Sequence, residues 1–266
     1  GTVPNLVTKK YGESVTLDAP SALTAPTDTA FDGWLISGVK YGAGSTLFIT
    51  TDITATAQWK SNRFSIYFDL NGGNGTAPAP LSGAAGSNIN LPSNPARNGY
   101  LFQGWNTLTT VLASSATSTT IPASSNATYI ATWSLAAPNA PTISNLTASD
   151  GSATINVTGD SSGGVADSYL VTALDSSGNP VTPSLTCTIV TPSTACTIAP
   201  LTNGSSYKFK VTATNSTGTS ADSNISNSVT PAGKPSSVTG VSANGGNSQA
   251  TISFTPPANN GGAAIQ

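Results

Sequence analysis

The chain repeats itself, and that repetition limits what it can fold into more than any other feature. Ser87-Asn-Ile-Asn-Leu91 echoes Glu13-Ser-Val-Thr-Leu17, and Phe102-Gln-Gly-Trp105 echoes Phe31-Asp-Gly-Trp34. Tyr129-Ile-Ala-Thr-Trp133 echoes Ala55-Thr-Ala-Gln-Trp59, and Gly75-Thr-Ala-Pro78 echoes Gly1-Thr-Val-Pro4. The offset is roughly 71–74 residues throughout, which is the signature of a small module used twice. A length of 266 residues then suits two to four such modules better than one large core.

The second copy owns a strand that the first lacks. Phe64, Ile66, Phe68 and Leu70 alternate with Ser65, Tyr67 and Asp69, and the period-2 pattern stops at the turn Asn71-Gly-Gly-Asn-Gly75. By the offset, the matching strand of the first copy is expected before Gly1. The two copies together resemble the internalin-type B-repeat (the Listeria-Bacteroides repeat family), a module found in tandem on bacterial surface proteins. The resemblance rests on Asp69-Leu-Asn-Gly-Gly73, Gly99-Tyr-Leu-Phe-Gln-Gly-Trp105 and the closing Tyr129 to Trp133. The first copy departs from it at Thr29-Ala30, where the family has Gly-Tyr. The resemblance implies a small β-grasp-like sheet with little helix.

A different module follows a Pro-containing linker at 135–141. Strand patterns occur at Ala153-Thr-Ile-Asn-Val157 and Ser168-Tyr-Leu-Val-Thr-Ala173. In Tyr207-Lys-Phe-Lys-Val-Thr-Ala213, Tyr207, Phe209, Val211 and Ala213 face one way and Lys208, Lys210 and Thr212 the other. One buried and one wet face suits a strand of an antiparallel sandwich. Leu201-Thr-Asn-Gly-Ser-Ser-Tyr207 before that strand and Asn215-Ser-Thr-Gly-Thr-Ser220 after it resemble the fibronectin type III (Ig-like) domain. The resemblance implies a β-sandwich core that includes Leu201, and a tyrosine corner at Tyr207, its hydroxyl tied to upstream backbone. Ala250-Thr-Ile252 and Gly261-Gly-Ala-Ala264 begin a second such module. The family often has Trp in the second strand; Val157 and Phe254 stand there in the two copies, so the first core should be light. The mainly-β chain is therefore expected as a B-repeat without its first strand over 1–60, a complete B-repeat over 61–134, the linker 135–141, a fibronectin type III sandwich over 142–231 and the start of a second one over 232–266.

Composition narrows the partners. Charged residues make up 8% of the chain and the net charge is -2, so no basic stripe exists to neutralise phosphates, and nucleic acid is not an expected partner. With 37% hydrophobic residues the chain is not built for disorder. No run of about 18 apolar residues offers a membrane span. Histidine is absent, which removes the commonest general base and neutral metal ligand.

Cys187 and Cys196 are the two cysteines, and they flank what reads as a turn between two short strands. A structural disulfide is expected there, and it points to an oxidising, extracellular setting. A reactive thiol pair or a metal site would want a close Cys-x-x-Cys or further soft ligands, and neither is present. Trp34, Trp59, Trp105 and Trp133 could form a carbohydrate platform, but they recur at the module period and are expected in the cores. Asp150, Asp160, Asp167 and Asp175 lie at Gly/Ser turns, where Asp caps its own backbone. No catalytic set, metal or cofactor is expected. The function expected is a non-catalytic structural or adhesive stalk segment at the cell surface or in the cell wall. Its expected partners are the neighbouring repeats of the same chain, with other surface proteins or polysaccharide beyond them. Two alternatives stand beside it. One is a carbohydrate- or protein-binding accessory module of a secreted hydrolase, for which Tyr11, Tyr41, Tyr100 and Tyr169 are the aromatics to inspect. The other is self-association into an extracellular filament by strand donation.

Overall fold

The computed structural model describes residues 8–21 and 23–265, and every regular element in them is a strand. The Gly1-Thr-Val-Pro4 half of one repeat echo lies outside the described residues. The chain divides into two compact units, Gly1–Pro95 with Phe102–Thr132, and Ala96–Leu101 with Trp133–Gln266.

The first repeat runs β1 (Ser14–Leu17), β2 (Thr29–Ile36), β3 (Val39–Tyr41), β4 (Ser45–Phe48) and β5 (Thr56–Ser61). β1 pairs with β4, and a three-stranded sheet has the order β3-β2-β5. The second repeat runs β6 (Arg63–Asp69), β7 (Leu81–Ala84), β8 (Asn88–Asn90), β9 (Tyr100–Asn106), β10 (Val111–Ala113), β11 (Ser118–Thr120) and β12 (Ala127–Leu135). Its main sheet has the order β10-β9-β12-β6-β7, and β11 pairs with β8. β6 and β12 are parallel, with Tyr129 opposite Phe68, so the first and last strands of the repeat meet at the sheet centre. That mixed order is the β-grasp arrangement, with the β8–β11 pair in place of a helix. Buried Ile66, Phe68, Leu70, Trp105, Ile121, Tyr129 and Ala131 form the core. Its aromatics meet edge to face: Phe68 lies 4.9 Å from Trp105 and 6.3 Å from Tyr129 between ring centroids. Such pairs add about 0.5–1.5 kcal/mol each beyond the area they bury.

The repeated Phe-x-Gly-Trp has a geometric cause. Residues three apart on a regular strand face opposite sides. Here Phe31 and Trp34 lie 5.3 Å apart, and Phe102 and Trp105 5.4 Å, on one side of their strands. The intervening glycines have φ of 126° at Gly33 and 140° at Gly104, and the register of β2 on β5 shifts between Phe31 and Gly33. The glycine kink brings both aromatic rings to the same side.

The second unit is a sandwich. Its strands are β13 (Thr142–Ser149), β14 (Ser152–Thr158), β15 (Ser168–Leu174), β16 (Thr186–Val190), β17 (Ala195–Ile198), β18 (Lys208–Asn215) and β19 (Gly218–Thr219). One sheet is β13-β14-β17 and the other β16-β15-β18-β19. Alternate residues of β14, β15 and β18 interdigitate: Ala153, Ile155, Val157, Tyr169, Val171, Ala173, Phe209, Val211 and Ala213 are all buried. Val157 is enclosed where the family often has Trp, and Leu201 closes the cluster. A last hairpin, β20 (Thr239–Gly246) with β21 (Gln249–Thr255), has no facing sheet among the described residues, and Phe254 is exposed on it.

The free edge of β18 is managed by serine. Ser220, Ser223 and Ser226 pair with Ala213, Val211 and Phe209 in turn, so the edge segment advances three residues for every two of β18. The three backbone N–H groups of β18 donate to the serine Oγ atoms at 2.9, 3.0 and 2.9 Å. Each hydroxyl then donates to the carbonyl of the next residue in its own segment, at 2.7, 2.9 and 2.8 Å. The edge is thereby satisfied without presenting a flat strand to another molecule. Ser223→Ala strands the buried Val211 N–H and is expected to cost about 1–3 kcal/mol. Denaturant unfolding of the variant checks the loss, with hydrogen exchange at Val211 as the local reporter.

Candidate functional site

Cys187 on β16 and Cys196 on β17 are joined by a disulfide, with Cα atoms 6.2 Å apart. The turn between their strands is where the sequence put it, but the strands belong to opposite sheets. The bond therefore laces the two layers together at one edge of the sandwich, and both sulfurs pack against its core. In the chain-entropy picture a loop of about ten residues contributes roughly 2.5–3 kcal/mol. Reduction, or Cys187→Ser with Cys196→Ser, is expected to lower sandwich stability by that amount and leave the two aromatic repeats untouched. Chemical denaturation with and without reductant reads this directly.

The four tryptophans do not share one environment. Trp105 is 2% exposed, whereas Trp34, Trp59 and Trp133 are half-buried. None of the four is exposed, but they are covered to different degrees. The described strands of the first repeat wrap a thin core, in which Leu17 and Ile36 are the buried aliphatics. Its Trp34 reaches out to donate its indole N–H to the Asp18 carbonyl at 2.9 Å, and Trp59 stacks edge-on against Phe31 at 5.9 Å. Trp105 has the opposite problem, since its Nε1 is buried with no hydrogen-bond partner. Leu201 is buried, and the Tyr207 hydroxyl accepts the backbone N–H of Thr202 at 3.1 Å.

Two of the four turn carboxylates, Asp160 and Asp175, cap their own backbones as expected; Asp150 binds a distant side chain, and Asp167 acts through its backbone carbonyl. Asp160 accepts from the Ser162 hydroxyl, the Ser162 N–H at 2.8 Å, the Asn139 amide and the Gly163 N–H, both at 3.2 Å. Those donors, the Ser162 hydroxyl first, hold its carboxyl down to about 2. The turn is expected to gain from this above the ordinary value of 3.8 and to loosen as pH falls from there towards about 2. An NMR titration of the Ser162 and Gly163 amides checks it. Asp175 is lowered chiefly by the Asn179 N–H, which it accepts at 2.9 Å. Asp150 accepts the Asn203 side-chain amide at 2.6 Å, and the Asp167 carbonyl accepts the Thr191 hydroxyl at 3.0 Å. Among the described residues no three Cys, Asp or Glu side chains converge as a metal ion would require. No described helix is long and apolar enough to cross a membrane.

The four tyrosines differ in their surroundings. Tyr169 is buried in the sandwich core, and the Tyr100 ring is covered by the Arg97 guanidinium at 4.0 Å from its centroid. Tyr41 pairs opposite Trp34 on β3, and Tyr11 stands exposed in a turn. Two shallow grooves open on the sandwich. One, of about 470 Å³, lies between β13 and the serine edge and is lined by Ile143, Asn145, Leu146, Ile225 and Val229. The other, of about 740 Å³, is bordered by Asp175, Pro180, Leu185 and Tyr207. The first has no charged group in its lining, and the single carboxylate of the second is already bound to its own turn. The serine edge was missed from the sequence, where its signal is Ser at positions i, i+3 and i+6.

Residues 64–132 match the model of the Listeria-Bacteroides repeat domain, and residues 137–229 match the fibronectin type III domain. The chain thus carries the two module types in the order in which the motifs fall. Both are non-catalytic module types. A protein of Evansella cellulosilytica named "Putative Gly-rich membrane protein" is 35% identical over 80 residues, which are 28% of this chain and 9% of that protein. The chain spans less than a tenth of the curated relative it matches. Among solved structures, "Myokine structure" is 21% identical with a TM-score of 0.29, covering 37% of this chain and 99% of that one. The chicken CNTN1 FN1-FN3 domains are 20% identical with a TM-score of 0.28, covering 47% of this chain and 42% of that one.

Proposed function

We propose that the chain is a non-catalytic structural segment of a bacterial cell-surface repeat protein, a stalk that carries another part of its parent outward from the cell. One observation carries the reading: a Listeria-Bacteroides repeat and a fibronectin type III domain follow each other in tandem, two module types with no catalytic role. The disulfide across the sandwich supports an oxidising, extracellular location. Solubility through Ser, Thr and Asn, with 8% charged residues, supports a neutral spacer more than a steering surface. The contacts such a segment makes are with neighbouring modules of its own chain, and outward with surface proteins or polysaccharide of the cell envelope.

The test is access on living cells. An antibody raised against residues 137–231 is expected to label intact cells of the source bacterium, and external protease is expected to remove the label. Labelling that needs lysis contradicts an exposed stalk, and turnover of an extracellular polymer by the purified chain contradicts a non-catalytic one.

A further inference from the structure

We propose that the Gly-Gly loop of each sandwich module is a socket that grips the chain entering that module, so that its partner is the preceding segment of the same polypeptide. In the first sandwich the socket is Gly163-Gly164, in the loop between β14 and β15. Neither glycine has a positive φ, so alanine suits both backbones. Space forbids it instead. A Cβ on Gly163 would overlap the Asn139 backbone nitrogen, and one on Gly164 would overlap the Ala136 carbonyl oxygen and stand 2.8 Å from the Asn215 amide nitrogen. The glycines are required by the linker lying on them.

Hydrogen bonds fix the linker in that seat. The Gly164 N–H donates to the Ala137 carbonyl at 3.1 Å, and the Asn215 side-chain amide donates to the Ala136 and Val165 carbonyls at 2.8 and 3.1 Å. The Asn139 amide returns a bond to the Ser162 hydroxyl at 2.9 Å. Segment 96–101 belongs to the same compact unit and joins the seat. The Gly99 N–H donates to the Ser162 carbonyl at 3.0 Å, and the Gly99 carbonyl accepts the Ala136 N–H at 2.9 Å.

A related contact occurs 98 positions on at Gly261-Gly262, where both glycines have positive φ, 75° and 90°, so the backbone as well as space calls for glycine. A Cβ on Gly261 would overlap the Gly233 carbonyl of the entering linker, and one on Gly262 would overlap the Gly204 nitrogen. The Gly233 N–H donates to the Gly261 carbonyl at 2.8 Å, and the Ser236 N–H to the Asn259 carbonyl at 2.8 Å. Each socket also receives a turn glycine of similar φ, 78° at Gly99 and 79° at Gly204, although the first comes from a B-repeat motif and the second from a sandwich. The two glycine pairs thus meet turn glycines of the same shape from two kinds of predecessor, although their own backbones differ. The inference rests on contacts within one unit and stands apart from where the chain is displayed.

Hydrogen-exchange mass spectrometry on the whole 266-residue chain tests it. Gly164→Ala is expected to speed exchange in peptides covering 96–101 and 133–141 by roughly ten-fold or more, while β15 and β18 keep their protection. Asn139→Ala, which leaves the loop backbone alone, is expected to change the same peptides in the same direction by a smaller factor. Linker protection that survives both changes overturns the proposal. Protection lost equally across β15 and β18 in the Asn139→Ala chain overturns it too, by making these residues supports of the sandwich itself.

Discussion

Gly104→Ala is expected to unfold the complete B-repeat, lowering its stability by at least about 3 kcal/mol. Two costs combine. The backbone there sits at φ 140°, a region that L side chains rarely adopt and that costs of order 1–3 kcal/mol when forced. A Cβ would also overlap the Leu112 carbonyl oxygen, which belongs to β10, the strand paired with β9. Relieving either problem rotates the kink that places Phe102 and Trp105 on one face, and Trp105 is the largest fully buried side chain of the core. A module of about 70 residues has only about 4–10 kcal/mol in total, so the loss is a large share of it. Tryptophan fluorescence and thermal unfolding read the effect. Gly33→Ala is expected to act in the same direction on the first repeat, because its Cβ would stand 2.6 Å from the Tyr41 carbonyl oxygen. An unchanged melting profile for Gly104→Ala would mean that the Phe-x-Gly-Trp kink is not what seats the aromatic core.

Phe209→Ala is expected to cost the sandwich about 3–5 kcal/mol, the usual range when a fully buried aromatic leaves a cavity. Phe209 lies mid-sheet on β18, opposite Ala173 of β15, with no exposed surface. Small neighbours such as Ala153, Ala173 and Ala213 cannot swing in to fill the space, so little of the cavity can collapse. Residues 142–231 contain no tryptophan, so the two module types report separately: far-UV circular dichroism loses the sandwich while the fluorescence of Trp34, Trp59 and Trp105 stays. Denaturant curves for the variant supply the magnitude, and a loss under about 1 kcal/mol would show that the core rearranges around the gap.

Much of the fold is legible in the residues alone, and some of it is not. The alternation from Tyr207 to Ala213 was legible because an antiparallel strand with one wet face has a period of two, and β18 is buried at every second residue. The tandem order was legible because module landmarks recur in sequence whatever the tertiary detail. Burial of the individual tryptophans was not, since a repeat shows that a residue is needed but not how many strands close over it. The disulfide span shows the same limit: the distance between Cys187 and Cys196 along the chain gives a loop length and says nothing about which sheet each strand joins. Ser220, Ser223 and Ser226 escaped notice for another reason. Their spacing of three matches neither a strand nor a helix, and it makes sense only beside a partner that advances by two. Gly163 and Gly164 were visible as a repeated pair, but only the linker lying against them explains why they must lack side chains.

The central claim is that the complete B-repeat and the β13–β19 sandwich each enclose their own core and fold as their own units, and differential scanning calorimetry of the intact chain tests it most directly. The account predicts separable transitions, with Gly104→Ala removing the B-repeat transition and Phe209→Ala shifting only that of the sandwich. A single cooperative transition that moves as a whole with either substitution would contradict it.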